Sequence, residues 1–121
     1  MTTALVIDDS RDQADALCEI LMMLDIEAYP AYGPRAAMLA LKRIDPDIVY
    51  LDINMPGVDG FEVISYLRRY PKLTGVPVVI VTSDDQPETV VKVKRTGALL
   101  MLIKPATVEG IESSLLKAGL K

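Results

Sequence analysis

The sequence predicts an α/β fold, a doubly wound parallel sheet with helices on both faces. Three observations predict it. Short apolar runs alternate five times with segments whose apolar residues recur at helical spacing. Two of the runs, Ile48–Leu51 and Val76–Val81, are apolar without alternation, the pattern of a strand covered on both faces. Strand–helix alternation then requires right-handed crossovers between parallel strands. The 121 residues, 50% of them hydrophobic, suffice for one domain, 1–121, with one core.

The first run, Leu5–Asp8, closes in acids. Ser10 and Gln13 have capping-box spacing, and Ala14, Leu17, Cys18, Leu21 and Leu24 mark one buried helical face. Glu27–Tyr32 is the second strand. Its Pro30 lacks a ladder N–H, which places it at a sheet edge. Gly33-Pro34 opens a helix with proline at its first position and Ala37, Leu41 and Ile44 inward. After the third strand, Ile48–Leu51, Asp59 with Glu62 starts a helix buried through Phe61, Ile64 and Leu67. Val76–Val81 is followed by a helix that begins at Pro87 and stops near Gly97. Leu99–Ile103 is the fifth strand, ended by Lys104-Pro105. Thr107 caps a last helix with Val108, Ile111, Leu115 and Ala118 inward, in which Gly110 costs roughly 1 kcal/mol relative to Ala.

Composition narrows the function. The net charge is -4 with no basic run, which argues against a nucleic-acid footprint in this chain. No apolar stretch approaches the ~18 residues of a membrane span and no signal-peptide pattern precedes Asp8, so the expected compartment is cytoplasmic. The lone Cys18 rules out an internal disulfide and reads as a core thiol. With no histidine, the chain has no Ser-His-Asp or Cys-His site, no His-ligated zinc and no phosphohistidine of its own.

The chemistry-bearing residues lie where a parallel sheet binds ligands, beyond the carboxyl ends of the strands. Asp8-Asp9, Asp52, Thr82 and Lys104 each end one of four apolar runs. Each alone has an ordinary use as cap, turn or solvated strand end. Together they read as a phosphoryl-acceptor site. Neighbouring carboxylates repel unless a cation neutralises them, and all-oxygen ligation suits Mg²⁺. With the metal bound, one carboxylate can act as nucleophile, giving an aspartyl phosphate, while Lys104 and Thr82 supply a charge and a hydroxyl donor for phosphate oxygens.

At these residues the chain resembles the receiver domain of two-component response regulators over nearly its whole length. The matching stretches are Leu5–Ser10, Pro46–Pro56 with Asp59-Gly60, Pro77–Thr82, and Lys104-Pro105. The resemblance implies a flavodoxin-like (βα)5 fold with strand order 2-1-3-4-5. It implies that Asp52 accepts a phosphoryl group from a histidine kinase or histidine phosphotransfer protein. It further implies that Asp8, Asp9, Asp52 and the backbone carbonyl of Asn54 hold Mg²⁺, that Thr82 is a switch hydroxyl, and that Lys104 pairs with the phosphoryl group.

One departure is Met101, three residues before Lys104, where the family usually carries Tyr or Phe. Methionine can repack but has neither ring nor hydroxyl. The preceding Leu99 and Leu100 are apolar where many receivers carry acids, which suggests a partner or homodimer surface on the face of helix 4, strand 5 and helix 5. Two rivals stand beside this reading. A phosphatase of the haloacid dehalogenase type wants an acid two residues after its nucleophile, where this chain has Ser10 and Asn54. A receiver fold that is never phosphorylated is the other.

Overall fold

A computed structural model describes residues 1–121. Strands and helices alternate: β1 (Thr3–Ile7), α1 (Arg11–Met23), β2 (Glu27–Ala31), α2 (Pro34–Ala40), β3 (Ile48–Leu51) and α3 (Gly60–Arg69). A 3₁₀ turn at Pro71–Leu73 leads to β4 (Val78–Thr82), α4 (Pro87–Arg95), β5 (Leu100–Ile103) and α5 (Val108–Lys117). All four strand pairings are parallel, in the order β2-β1-β3-β4-β5. The order reverses between β1 and β3, since the crossover from β1 goes outward to β2 and the next returns past it. Pro30 lies on the edge strand, opposite Val6. No helix is long and apolar enough to cross a membrane.

The sheet divides the expected single core into two. On one face Leu5, Ile7, Val49, Leu51 and Ile80 meet Ala37 of α2, Ile64 and Leu67 of α3, and Val93 of α4. On the other, Ala4, Val6, Ile48, Tyr50, Val79 and Val81 meet Ala14, Leu17, Cys18 and Leu21 of α1 and Ile111 and Leu115 of α5. Successive strand residues point to opposite faces, so a strand apolar at every position feeds both layers. Each fully buried Leu or Ile contributes roughly 1.5–3 kcal/mol relative to exposure. Burial also pushes the Cys18 thiol up to about 11, which leaves it protonated at neutral pH.

Several local expectations are corrected. The Ser10 hydroxyl accepts from the Gln13 amide at 3.4 Å, but the Gln13 side chain turns to Lys104, so the reciprocal half of the capping box is missing. The second helix ends at Ala40, and Ile44 and Phe61 are only half-buried. Val108, the first residue of α5, is 38% exposed rather than inward. Gly110 is explained by its surroundings. A Cβ there would sit 3.1 Å from the Thr107 hydroxyl that caps the helix through the Gly110 amide.

One buried polar pair crosses the second core. Tyr50 and Ser114 are both fully buried, with their oxygens 2.6 Å apart, and the Ser114 hydroxyl also donates to the Ile111 carbonyl at 2.6 Å. Since serine has one proton, Tyr50 is the donor to Ser114. Burial pushes the Tyr50 phenol up to about 12. Removing either partner therefore has unequal effects. Ser114→Ala strands a buried phenolic proton and is expected to cost ~1–3 kcal/mol, whereas Tyr50→Phe leaves Ser114 bonded to Ile111 and costs about 1 kcal/mol or less. Denaturant unfolding midpoints measure both, and equal losses would refute the donor assignment.

Candidate functional site

Ladder hydrogen bonds running past the ends of the strands position the site. The Asp8 amide donates to Ala31 at 3.1 Å, the Asp52 amide to Ile7 at 3.0 Å, and the Lys104 amide to Thr82 at 2.8 Å. Asp8 therefore sits beside Asp52 for the same reason that Ile7 is in register with Leu51. Both carboxylates lie at the floor of the crevice, each residue 5% exposed, while Asp9 faces solvent at its rim. One carboxylate oxygen from each of Asp8, Asp9 and Asp52 falls within 4.8 Å of the others.

Lys104 reaches across from beyond β5. Its ammonium lies 2.8 Å from Asp8 Oδ2 and 3.1 Å from Asp52 Oδ2, and it also donates to Gln13 Oε1. Burial raises the Asp52 pKa above its usual value. The Asn54 amide, which donates to Asp52 Oδ1 at 2.9 Å, and the Lys104 charge oppose that rise, while the Asp8 charge adds to it. Three carboxylates face a single ammonium, so the cluster carries uncompensated negative charge.

Thr82 is fully buried at the last position of β4. Its Oγ1 accepts from Asn54 Nδ2 at 2.8 Å and from the Asp84 amide at 3.2 Å. A hydroxyl that accepts twice still has its own proton to give. The structure thus brings together Asp8, Asp9, Asp52, Asn54, Thr82 and Lys104, every residue that the sequence singled out for the site. Sequence reasoning missed Gln13, whose spacing from Ser10 already explained it as a helix cap.

The residues around Met101 separate by sheet face. Leu99, Leu100 and Leu102 pack toward α1 and α5, whereas Met101 packs on the opposite core. All four are half-buried, so the expected leucine patch is partly tucked under its neighbours. The exposed large apolar residues of α4, β5 and α5 are Val91, Ile103, Val108 and Leu116.

Chemically, the cluster offers hard oxygen donors without histidine or thiolate, the donor set of Mg²⁺. A cavity of about 400 Å³ adjoins it, with Asp8, Gln13, Asp52 and Lys104 as its polar lining and Leu17, Ile20 and Tyr50 among its apolar walls. Comparison with known proteins points the same way. The family model for the response regulator receiver domain matches residues 4–116. Protein PilH of Pseudomonas aeruginosa is 32% identical over 109 residues, spanning 90% of each chain. The regulatory protein AtoC of Escherichia coli is 32% identical over 101 residues, which is 84% of this chain but 22% of AtoC. Among solved structures, the chemotaxis protein CheY4 of Vibrio cholerae superposes with a TM-score of 0.89 at 26% identity, covering 98% of both chains.

The loop carrying Asn54 is fixed from behind by close packing. A Cβ on Gly60, the first residue of α3, would lie 2.5 Å from Ile53 Cα and 2.8 Å from its carbonyl oxygen. Backbone cannot yield as a flexible side chain can, so Gly60→Ala must displace the segment that follows Asp52. The expected cost is ~1–3 kcal/mol of stability. A denaturant midpoint equal to that of the unaltered chain would contradict this packing.

Proposed function

Because the chain belongs to the response regulator receiver domain family and so takes part in two-component phosphorelay signalling, we propose that Asp52 is its phosphoacceptor. The observation that carries this reading is the placement of Asp52. It is a nearly buried carboxylate beside Asp8 whose second oxygen is paired with a lysine ammonium at 3.1 Å. The donor is a phosphohistidine on a histidine kinase or histidine phosphotransfer protein, since this chain has no histidine. An Asp52 carboxylate oxygen bonds to phosphorus as the P–N bond to the imidazole breaks, and the nitrogen keeps the electron pair.

Asp8, Asp9, Asp52 and the Asn54 backbone carbonyl are the groups that would hold Mg²⁺. When bound, the ion neutralises charge shared by the carboxylates and the phosphoryl group. The other roles belong to the chain itself. Lys104 exchanges its contact with Asp52 for one with a phosphoryl oxygen. Thr82 moves toward another phosphoryl oxygen and donates to it the proton that its bonds from Asn54 and Asp84 leave free. Pulling on Thr82 tugs the end of β4, to which β5 is paired through Ile80–Met101 and Thr82–Ile103. The output face is therefore that of α4, β5 and α5, around Leu99, Leu100 and Met101, and it binds an output partner or a second copy. Met101 repacks in the first core in place of an aromatic ring. The chain acts on no substrate except its own aspartyl phosphate, and its setting is the cytoplasm.

Incubation with a small acyl phosphate and Mg²⁺ tests the reading by intact mass. The unaltered chain is expected to gain one phosphoryl group and Asp52→Asn none. An intact chain that gains nothing, or an Asp52→Asn chain that gains as much, would sink it.

A further inference from the structure

We propose that Gln13 is a positioning residue for Lys104, a role that rests on reading Asp52 as the phosphoacceptor. A lysine ammonium has three N–H donors. Here they meet three acceptors: Asp8 Oδ2 at 2.8 Å, Asp52 Oδ2 at 3.1 Å and Gln13 Oε1. Two are carboxylates that phosphoryl transfer draws into other contacts. The third is a neutral amide on α1, and phosphoryl transfer offers it no competing partner.

Gln13 is also tied back to the floor of the site. Asp8 Oδ1 accepts from the Ser10 amide at 3.0 Å, and Ser10 Oγ accepts from the Gln13 amide at 3.4 Å. Gln13 Oε1 then accepts from Lys104, and Lys104 returns to Asp8. This closed ring of hydrogen bonds holds the first turn of α1 and the ammonium in fixed relation. When Lys104 releases Asp52 for a phosphoryl oxygen, the Gln13 contact keeps a flexible four-carbon stem from swinging out of the crevice. An amide does this without placing another negative charge before an incoming phosphate. Gln13 is exposed and its capping contact uses the backbone amide, so replacing its side chain leaves the fold intact.

Two variants separate the role from the bulk of the side chain. Gln13→Met keeps the length and removes the acceptor, and Gln13→Glu keeps an acceptor and adds charge. Initial rates of phosphorylation by acetyl phosphate at saturating Mg²⁺ are measured across donor concentrations. Gln13→Met is expected to lower the maximal rate roughly five-fold at an unchanged half-saturating concentration. Gln13→Glu is expected to restore the maximal rate and raise the half-saturating concentration. In the metal-free protein, acylation of Lys104 by an amine-reactive ester, read by peptide mass, is expected to rise several-fold in Gln13→Met and not in Gln13→Glu. An unchanged maximal rate in Gln13→Met, an equal fall in both variants, or unchanged Lys104 acylation overturns the proposal. If the unaltered chain takes up no phosphoryl group, the reading of Asp52 falls and the proposed role of Gln13 falls with it. If it does so and Gln13→Met matches it, only the role of Gln13 falls.

Discussion

The site depends on one ammonium held between two nearly buried carboxylates. Lys104 spans from beyond β5 to Asp8 and Asp52, beyond β1 and β3, and its side chain is only 15% exposed. An isolated buried charge is costly, and removing one partner of such a cluster leaves the others uncompensated. One positive charge does not balance three acids, however. The remaining imbalance leaves a cluster of oxygen donors that could hold a second cation. Burial works toward the same end, since a carboxylate shielded from water interacts more strongly with whatever charge is placed beside it.

The fold creates this arrangement without any special local device. Parallel strands point the same way, so residues just past their ends share a crevice, and the reversal of order between β1 and β3 opens it. Finer adjustments come from neighbours. Gly60 lets α3 press against Ile53, which fixes the loop bearing Asn54, and Asn54 in turn holds the Thr82 hydroxyl. The Tyr50–Ser114 pair lies two residues before Asp52 and ties the central strand to α5 across the other core. Site and scaffold are thus linked through β3 from both faces.

The sequence made the alternation of elements, the edge position of the strand containing Pro30, and the site acids readable, because apolar runs and the residues ending them are local patterns. Strand ends moved by one or two residues: β4 begins at Val78 rather than Val76, and β1 begins at Thr3 rather than Leu5. Those limits are set by pairing partners that the local pattern does not contain. The spacing of Gln13 from Ser10 fits a capping box. Only the approach of Lys104, 91 positions away, shows that its side chain has a stronger claimant. Ser114 is invisible to helical periodicity, which registers apolar residues, and its buried hydroxyl is explained only by the phenol opposite. Leu99, Leu100 and Met101 read as one surface in sequence and do line one groove with Val90, Lys94 and Ile103, although strand geometry packs Met101 against the opposite core.

Charge imbalance among Asp8, Asp9, Asp52 and Lys104 is the centre of the account, and Asp9 isolates it best because it is exposed and its loss should barely disturb the metal-free fold. The direct measurement is the thermal unfolding midpoint of the unaltered and Asp9→Asn chains over a Mg²⁺ titration. The unaltered chain should gain stability with added Mg²⁺, about 2.7 kcal/mol at a hundredfold excess over Kd. Asp9→Asn should start from nearly the same midpoint and need far more Mg²⁺ for the same gain. A midpoint indifferent to Mg²⁺ in the unaltered chain, or an identical response in Asp9→Asn, would contradict the account.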